Sequence, residues 1–399
     1  WMNPRKYLSE YGIQGDIKYG DHHKSHAAAG FATSKFDSAA VLVIDAIGEF
    51  TTTSIGIYET DGRGKISGKK LYSRRYPESL GLFYSAITDR VKLKANEDEY
   101  ILMGMSAYGK PTHAEEMRKM LQYKYNFHNG CRKFFPQADH FDLAASAQKV
   151  YEEEFIKLLS YTETLTKSDN LVLMGGCALN CLANRHVHKF FKNVWVMPNP
   201  GDAGSSIGAI AAGEMQMLNW ETPYIGEEIK GKYPIKHIME ELLENNIVGV
   251  ANGKAEFGPR ALGNRSLFAN PTGQEMKDLV NKIKQRQEFR PFAPVILEED
   301  VHKHFYVEKG FSSPYMQYIV KAKDREMYPA IVHKDGTSRV QTVTRKQHSG
   351  LYRLLKQWKK HTGIPMLLNT SLNIKGEPMV NNRKDADLFQ KKYGVKVVS

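Results

Sequence analysis

Short blocks of consecutive apolar residues recur along the chain, at 39–44, 171–174, 194–197, 247–251 and 366–368. Unbroken blocks of this length read as strands, and those at 39–44 and 366–368 as buried ones. From 113 to 166 the pattern changes to charged and aromatic helical segments, read as scaffold or a specificity insertion. Strands interleaved with helices predict an α/β and α+β chain, and at 399 residues two domains are expected. The polar stretch 222–233, with Gly and Pro, reads as their linker, giving domains of 1–230 and 231–399. Among local signals, Asp61-Gly62-Arg63-Gly64 closes a hairpin, Ser79 caps a helix, and the glycine-punctuated loop 103–111 borders a cleft.

The first apolar block ends in Asp45, so the strand delivers a carboxylate to its C-terminal edge. Upstream, Ala27, Ala28 and Ala29 favour a helix that puts His22 and His26 one turn apart on one face. Two imidazoles and a carboxylate compose a candidate divalent-metal site with coordination positions left open. Taken alone, H-x-x-x-H reads better as surface histidines, with Asp45 capping a turn; later segments shift the balance. Asp202, in the turn of a further strand-turn-helix, is either a helix cap or a fourth ligand, and in isolation the cap is favoured. Gly48 and the hydroxyl of Thr52 form a candidate phosphate cradle, although an amphipathic hairpin accounts for them equally. Gly175 and Gly176 allow a nucleotide to approach the backbone, and Asn180 is placed to bond its sugar or the transferred group.

In the second half, Arg260 and Arg265 flank a turn made tight by Pro and Gly. Lys284 and Arg286, read along an extended chain, share one face, with Arg290 close behind and Arg339 further on. After the block 366–368 come Asn369, Ser371 and Asn373, the last two alternating onto one face. The plain reading is an α+β domain with a wet cleft; the sharper one is a site for small, highly charged substrates.

A formal charge of +12, spread over scattered lysines, means first a solvated basic surface and second a preference for phosphorylated ligands or nucleic acid. No apolar run approaches the length of a bilayer span and no signal peptide opens the sequence. With only Cys131, Cys177 and Cys181 there is no disulfide framework, which fits a reducing cytosol. Cys177 and Cys181 read as packing residues. The initial Trp1 points to a missing or processed N-terminus.

In order along the chain stand the histidine motif with Asp45, Ser79-Leu80-Gly81-Leu82, Met103-Gly104 with Ala107-Tyr108-Gly109, and Gly175-Gly176 with Ala178-Leu179-Asn180. Asp202-Ala203-Gly204, the segment 258–266, Phe289-Arg290-Pro291-Phe292-Ala293-Pro294, Arg339-Val340-Gln341-Thr342-Val343 and Leu368-Asn369-Thr370-Ser371 follow. With these motifs the chain resembles the NodU/CmcH family of O-carbamoyltransferases, from Asp21 to about Val380. The resemblance implies an actin-like ATPase (ribonuclease-H-like) N-terminal domain of TsaD type, then a YrdC-like α/β domain. In it His22, His26, Asp45 and Asp202 match the metal ligands, with Fe2+ the family's ion. The pairs K-x-R and S-x-N match Lys284 with Arg286 and Ser371 with Asn373.

The implied reaction is ATP-dependent O-carbamoyl transfer. Carbamoyl phosphate and ATP give carbamoyl-adenylate beside Lys284, Arg286, Arg290, Arg339, Ser371 and Asn373. The carbamoyl group then passes to an acceptor hydroxyl at the metal site, where His22 helps remove the proton. Gly48, Thr52, Gly175, Gly176, Asn180, Arg260, Arg265 and Asn369 are the implied nucleotide contacts. The implied partners are ATP, carbamoyl phosphate and a hydroxyl-bearing small molecule, in the cytoplasm, away from membranes, with a homodimer compatible. Nucleic acid is the alternative acceptor, and a truncated, non-catalytic nucleotide-binding relative is the third reading. The sequence departs from the family in lacking the opening strand and Gly/His/Asp/Ser turn, in carrying Ala46 where Gly is usual, and in a short middle segment. Its last elements after Val380 are expected to be cut off.

Overall fold

The computed structural model describes residues 4–17, 19–290, 292–374 and 376–399; Trp1, Pro291 and Lys375 lie outside the described residues. The first sheet comprises β1 (Ser38–Gly48), β2 (Thr51–Thr60), β3 (Ile66–Arg75), β4 (Asn170–Met174) and β5 (Asn193–Val196). Their spatial order is β3-β2-β1-β4-β5. β1 pairs antiparallel with β2 and parallel with β4, and β4 parallel with β5.

The buried block on β1 explains its central place. Leu42 and Ile44 enter a core with the long helix His140–Thr166, while Val41 and Val43 enter another with helices His22–Ser34 and Ser205–Glu214. Each such side chain contributes roughly 1.5–3 kcal/mol by burial, so a one-residue slip in register would be costly. Beyond Ile44 the β1–β2 register breaks until Gly48 meets Thr51, a bulge that frees Asp45 from the ladder. Parallel pairing of β1 with β4 ends at Val43 and Met174. Asp45 and the Gly175-Gly176 turn therefore emerge together at the C-terminal ends of adjacent parallel strands, the usual position for ligands on open α/β sheets.

The remaining strands are β6 (Tyr224–Ile229), β7 (Ile247–Ala251), β8 (Gly253–Glu256), β9 (Arg265–Ala269) and β10 (Ala293–Leu297). They continue as β11 (Ile319–Lys321), β12 (Thr337–Arg339), β13 (Gln341–Val343), β14 (Met366–Ser371) and β15 (Val397–Val398). Six form a mixed sheet ordered β13-β10-β14-β9-β7-β15, and β6-β8 and β11-β12 make two short pairs. A separate core fills this half, with Trp358, Phe268 and Leu367 fully enclosed.

One expectation is corrected here. The stretch read as a linker contains β6, whose backbone is tied to β8. After Val380 the chain builds the helix Arg383–Tyr393, capped by Asn382, and then β15, which joins the second sheet beside β7. The halves also interlock: Tyr318 and Ile319 pack into the first half's core, and Asn184 Nδ2 donates to the Gln317 carbonyl at 3.1 Å.

Candidate metal centre and anion cavity

Asp21 caps the helix His22–Ser34 by accepting from the Lys24 amide at 2.7 Å, which fixes the first turn. His22 and His26 then share one face, as their spacing predicts. Gly208 lets the helix Ser205–Glu214 approach closely, since a Cβ there would lie 2.6 Å from the Ser25 carbonyl oxygen. That approach brings Asp202, at the head of the same segment, to His26 Nε2 at 3.1 Å and His22 Nε2 at 3.2 Å. Asp45 Oδ2 lies 2.9 Å from His22 Nε2 and 3.4 Å from His26 Nε2, and the two Nε2 atoms are 3.1 Å apart.

Four ligand atoms from these residues lie within 4.8 Å of one another. Atoms bound at roughly 2.0–2.2 Å to one ion would be separated by about 3.0–3.5 Å, so the contacts fit a single first-row divalent ion. Asp202 makes no side-chain capping bond, so the cap reading is not the one realised. Hydrogen bonds from Asp202 and then Asp45 raise His22 to about 10. Burial would lower His26, but Asp202 and Asp45 raise it. Burial would likewise raise the Asp45 carboxyl, yet the two imidazoles hold it well below the carboxylate range, as they do Asp202. His23, which the sequence did not single out, is structural: its Nδ1 meets Ser54 Oγ at 2.9 Å and its Nε2 the Thr51 carbonyl at 3.0 Å.

A cavity of about 780 Å³ is lined by Asp45 and Asp202 and also by Arg260, Lys284, Arg286, Arg290 and Arg339. The K-x-R and S-x-N pairs do meet: Lys284 Nζ lies 2.6 Å from the Ser371 carbonyl, 2.7 Å from Asn373 Oδ1 and 3.2 Å from Ser371 Oγ. The extended reading of Lys284 and Arg286 is corrected, because Lys284 closes the helix Gln274–Lys284 and Gln285 turns the chain at φ 49°. Among the described residues Arg260, Arg290 and Arg339 form no salt bridge, and Arg339 Nε is buried without a hydrogen-bond partner. Burial, then Arg339, pushes Arg260 down to about 9, and burial with Arg286 and Arg290 pushes Lys284 well below the lysine range. Glu97, Glu99 and Glu377 line the same cavity, so the basic side chains are gathered on one part of a wall that also carries carboxylates.

Other predicted contacts divide. Gly176 lines the cavity and its amide donates to Asp45 Oδ1 at 3.2 Å; Asn369 also lines it. Asn180 borders it, but its side chain is committed to the Ala183 amide and to Gln148. Gly175 is needed for backbone packing, at φ +89° with a Cβ position 2.2 Å from the Ile44 carbonyl oxygen. Gly48 abuts the His22 ring, and Thr52 Oγ1 donates to the Glu78 carbonyl at 2.5 Å. Neither lines the cavity. Arg265 is fully buried, and its guanidinium donates to the carbonyls of Asn252, Gly253, Asn264, Asn381 and Glu227. It is a structural post, not a nucleotide contact. His22 Nε2 points into the carboxylate cluster, so that atom cannot serve as both ligand and general base.

His333 also lines the cavity and was missed, since a lone histidine in a polar turn carries no motif.

A four-donor cluster and a group of basic side chains thus open into one cavity. The chain belongs to the carbamoyltransferase family: the family's "Carbamoyltransferase N-terminus" matches residues 10–211 and its "Carbamoyltransferase C-terminus" residues 239–398. It is 33% identical to the uncharacterized protein sll1178 of Synechocystis, covering 97% of this chain and 78% of that one. Nodulation protein NolO of Bradyrhizobium diazoefficiens is 31% identical over 92% of this chain and 75% of its own. Nodulation protein U of Sinorhizobium fredii is 38% identical over 52% of this chain and 40% of its own. Among the described residues no helix is long and apolar enough to cross a membrane.

Proposed function

We propose that this chain is an ATP-dependent O-carbamoyltransferase working through carbamoyl-adenylate. Carbamoyl phosphate yields carbamate and inorganic phosphate with water; a carbamate oxygen then attacks the α-phosphorus of ATP and the bond to pyrophosphate breaks. Arg260, Arg286, Arg290 and Arg339 balance the phosphate charge, and Lys284, seated by Ser371 and Asn373, fixes the floor of that site. His22, His26, Asp45 and Asp202 would hold Fe2+, which supplies Lewis acidity toward the carbamoyl oxygen. An acceptor hydroxyl takes the carbamoyl carbon and AMP leaves.

The observation that carries this reading is the single cavity bordered by both the candidate metal cluster's carboxylates and the arginines Arg260, Arg286, Arg290 and Arg339. With both groups of residues on one cavity, a labile intermediate need not cross bulk water. We also propose that the first sheet is a ribonuclease-H-like half of an actin-like ATPase fold and the second half a YrdC-like domain; the order β3-β2-β1-β4-β5 and the Lys284–Ser371–Asn373 contact support this. The location is proposed as cytoplasmic and the acceptor as a small hydroxylated molecule. The +12 charge favours nucleic acid as the second reading, for which acceptor affinity would fall steeply with salt. The test is pyrophosphate release from ATP without acceptor: it should require carbamoyl phosphate and vanish in Arg339→Ala, and release independent of carbamoyl phosphate would count against the proposal.

A further inference from the structure

The segment between the helix Gln274–Lys284 and β10 carries Arg286 and Arg290. Asn281 Nδ2 reaches the Glu288 and Arg290 carbonyls at 3.3 and 3.4 Å, and the Arg290 amide donates to Gln287. Arg286 is held within the second half, its Nε donating to Asn281 Oδ1 at 2.8 Å and its guanidinium lying 3.8 Å over the Phe292 ring, whereas the side-chain contacts at Phe289 and Arg290 come from the first half. Tyr108 donates its hydroxyl to the Phe289 carbonyl at 3.0 Å. The rings of Tyr108, Phe141 and Phe289 form a closed triangle, with centroids 5.7 to 5.9 Å apart. One residue on, the Arg290 guanidinium lies over the Tyr100 ring at 4.7 Å. Tyr100 lines the cavity, and Gly104, on the same helix Glu99–Met105, faces the Phe289 ring.

Arg290 needs such a seat. It faces other cations, and its repulsion from them would turn it outward unless something on the opposite side holds it. An aromatic face attracts a guanidinium, and a hydroxyl bonded to the neighbouring carbonyl fixes the backbone beneath it.

We propose that the cationic wall is completed across the two halves of the chain: Tyr100 and Tyr108 of the first half are positioning residues that seat Arg290 of the second toward the anion. The inference rests on the anion-site reading above. It makes adenylate formation depend on docking of the two halves, so the second half alone would hold an incomplete anion site.

The test is calorimetric binding of inorganic pyrophosphate to the full chain, with Fe2+ binding measured in parallel on each variant. Tyr108→Phe, which keeps the ring and loses one hydrogen bond, should weaken pyrophosphate binding about fivefold. Tyr100→Leu should weaken it about fivefold or more, and Tyr100→Phe should recover only part of that loss, because the ring face is retained while the hydroxyl's hydrogen bond with Arg290 is lost. Fe2+ affinity should stay at the wild-type value throughout. Unchanged pyrophosphate affinity in Tyr108→Phe and Tyr100→Leu would overturn the inference while leaving the anion site standing. Parallel loss of Fe2+ binding would assign the effect to the fold and overturn it too. Failure of the unaltered chain to bind pyrophosphate would instead overturn the anion-site reading itself.

Discussion

Gly48 lies flat against the His22 imidazole: a Cβ at position 48 would fall 2.4 Å from His22 Cδ2. The glycine, read from sequence as part of either a phosphate cradle or an amphipathic hairpin, abuts a ring of the candidate metal cluster. Gly48→Ala must displace His22, so Fe2+ affinity should fall at least tenfold while stability drops by about 1–3 kcal/mol. Metal titration of the purified variant, with thermal melting alongside, checks both.

The same logic applies on the other side of the cluster. Gly208→Ala would push a methyl to 2.6 Å from the Ser25 carbonyl oxygen, moving the segment that carries Asp202 away from His26. The expected outcome is weaker metal binding with pyrophosphate binding intact. Equal loss of both would mean that the two sites are not separable in this way.

Arg265 should behave as a structural post. Replacing it with Ala strands five backbone carbonyls and should destabilise the chain by roughly 3–5 kcal/mol. Arg339→Ala, by contrast, should leave the melting temperature near wild type and remove nucleotide binding. Urea denaturation and ATP titration of the pair distinguish the roles.

Acid should weaken the second half through His348. Burial holds this histidine down to about 4, from 6.5 in an exposed chain. Its Nδ1 accepts from the Leu351 amide at 3.0 Å at a helix N-terminus. Between those values the unfolded chain binds a proton that the folded chain does not, so the contribution is complete above about pH 6.5 and is lost as pH falls through 4. The loss is on the order of 3 kcal/mol. His348→Asn keeps a capping acceptor and should remove that slope, which unfolding at pH 7 and pH 4.5 would reveal.

Much of this was legible in the sequence because it rests on local periodicity. The block before Asp45 reads as a buried strand, and the four-residue spacing of His22 and His26 beside three alanines predicts a shared helix face. Lys284 with Ser371 and Asn373 came together because their motif pairs were recognised, although the helical end at Lys284 was read as extended. What stayed hidden depends on tertiary context. Whether a glycine receives a ligand, a ring or a strand is decided by neighbours distant in sequence, so Gly48, Gly175 and Gly176 look alike and differ in space. Arg260 and Arg265 share one motif, yet one borders the cavity and the other is consumed by carbonyls. The strand at 224–229 escaped because its pairing partner lies across a helix and another strand.

The most direct measurement is carbamoyl-phosphate-dependent exchange of labelled pyrophosphate into ATP, without acceptor, for the full chain, His26→Ala and Arg339→Ala. The account predicts exchange in the unaltered chain and in His26→Ala, which disrupts only the metal cluster, and none in Arg339→Ala. Exchange that survives in Arg339→Ala, or that disappears with His26→Ala in a folded protein, would contradict two separable groups of residues serving successive steps in one cavity.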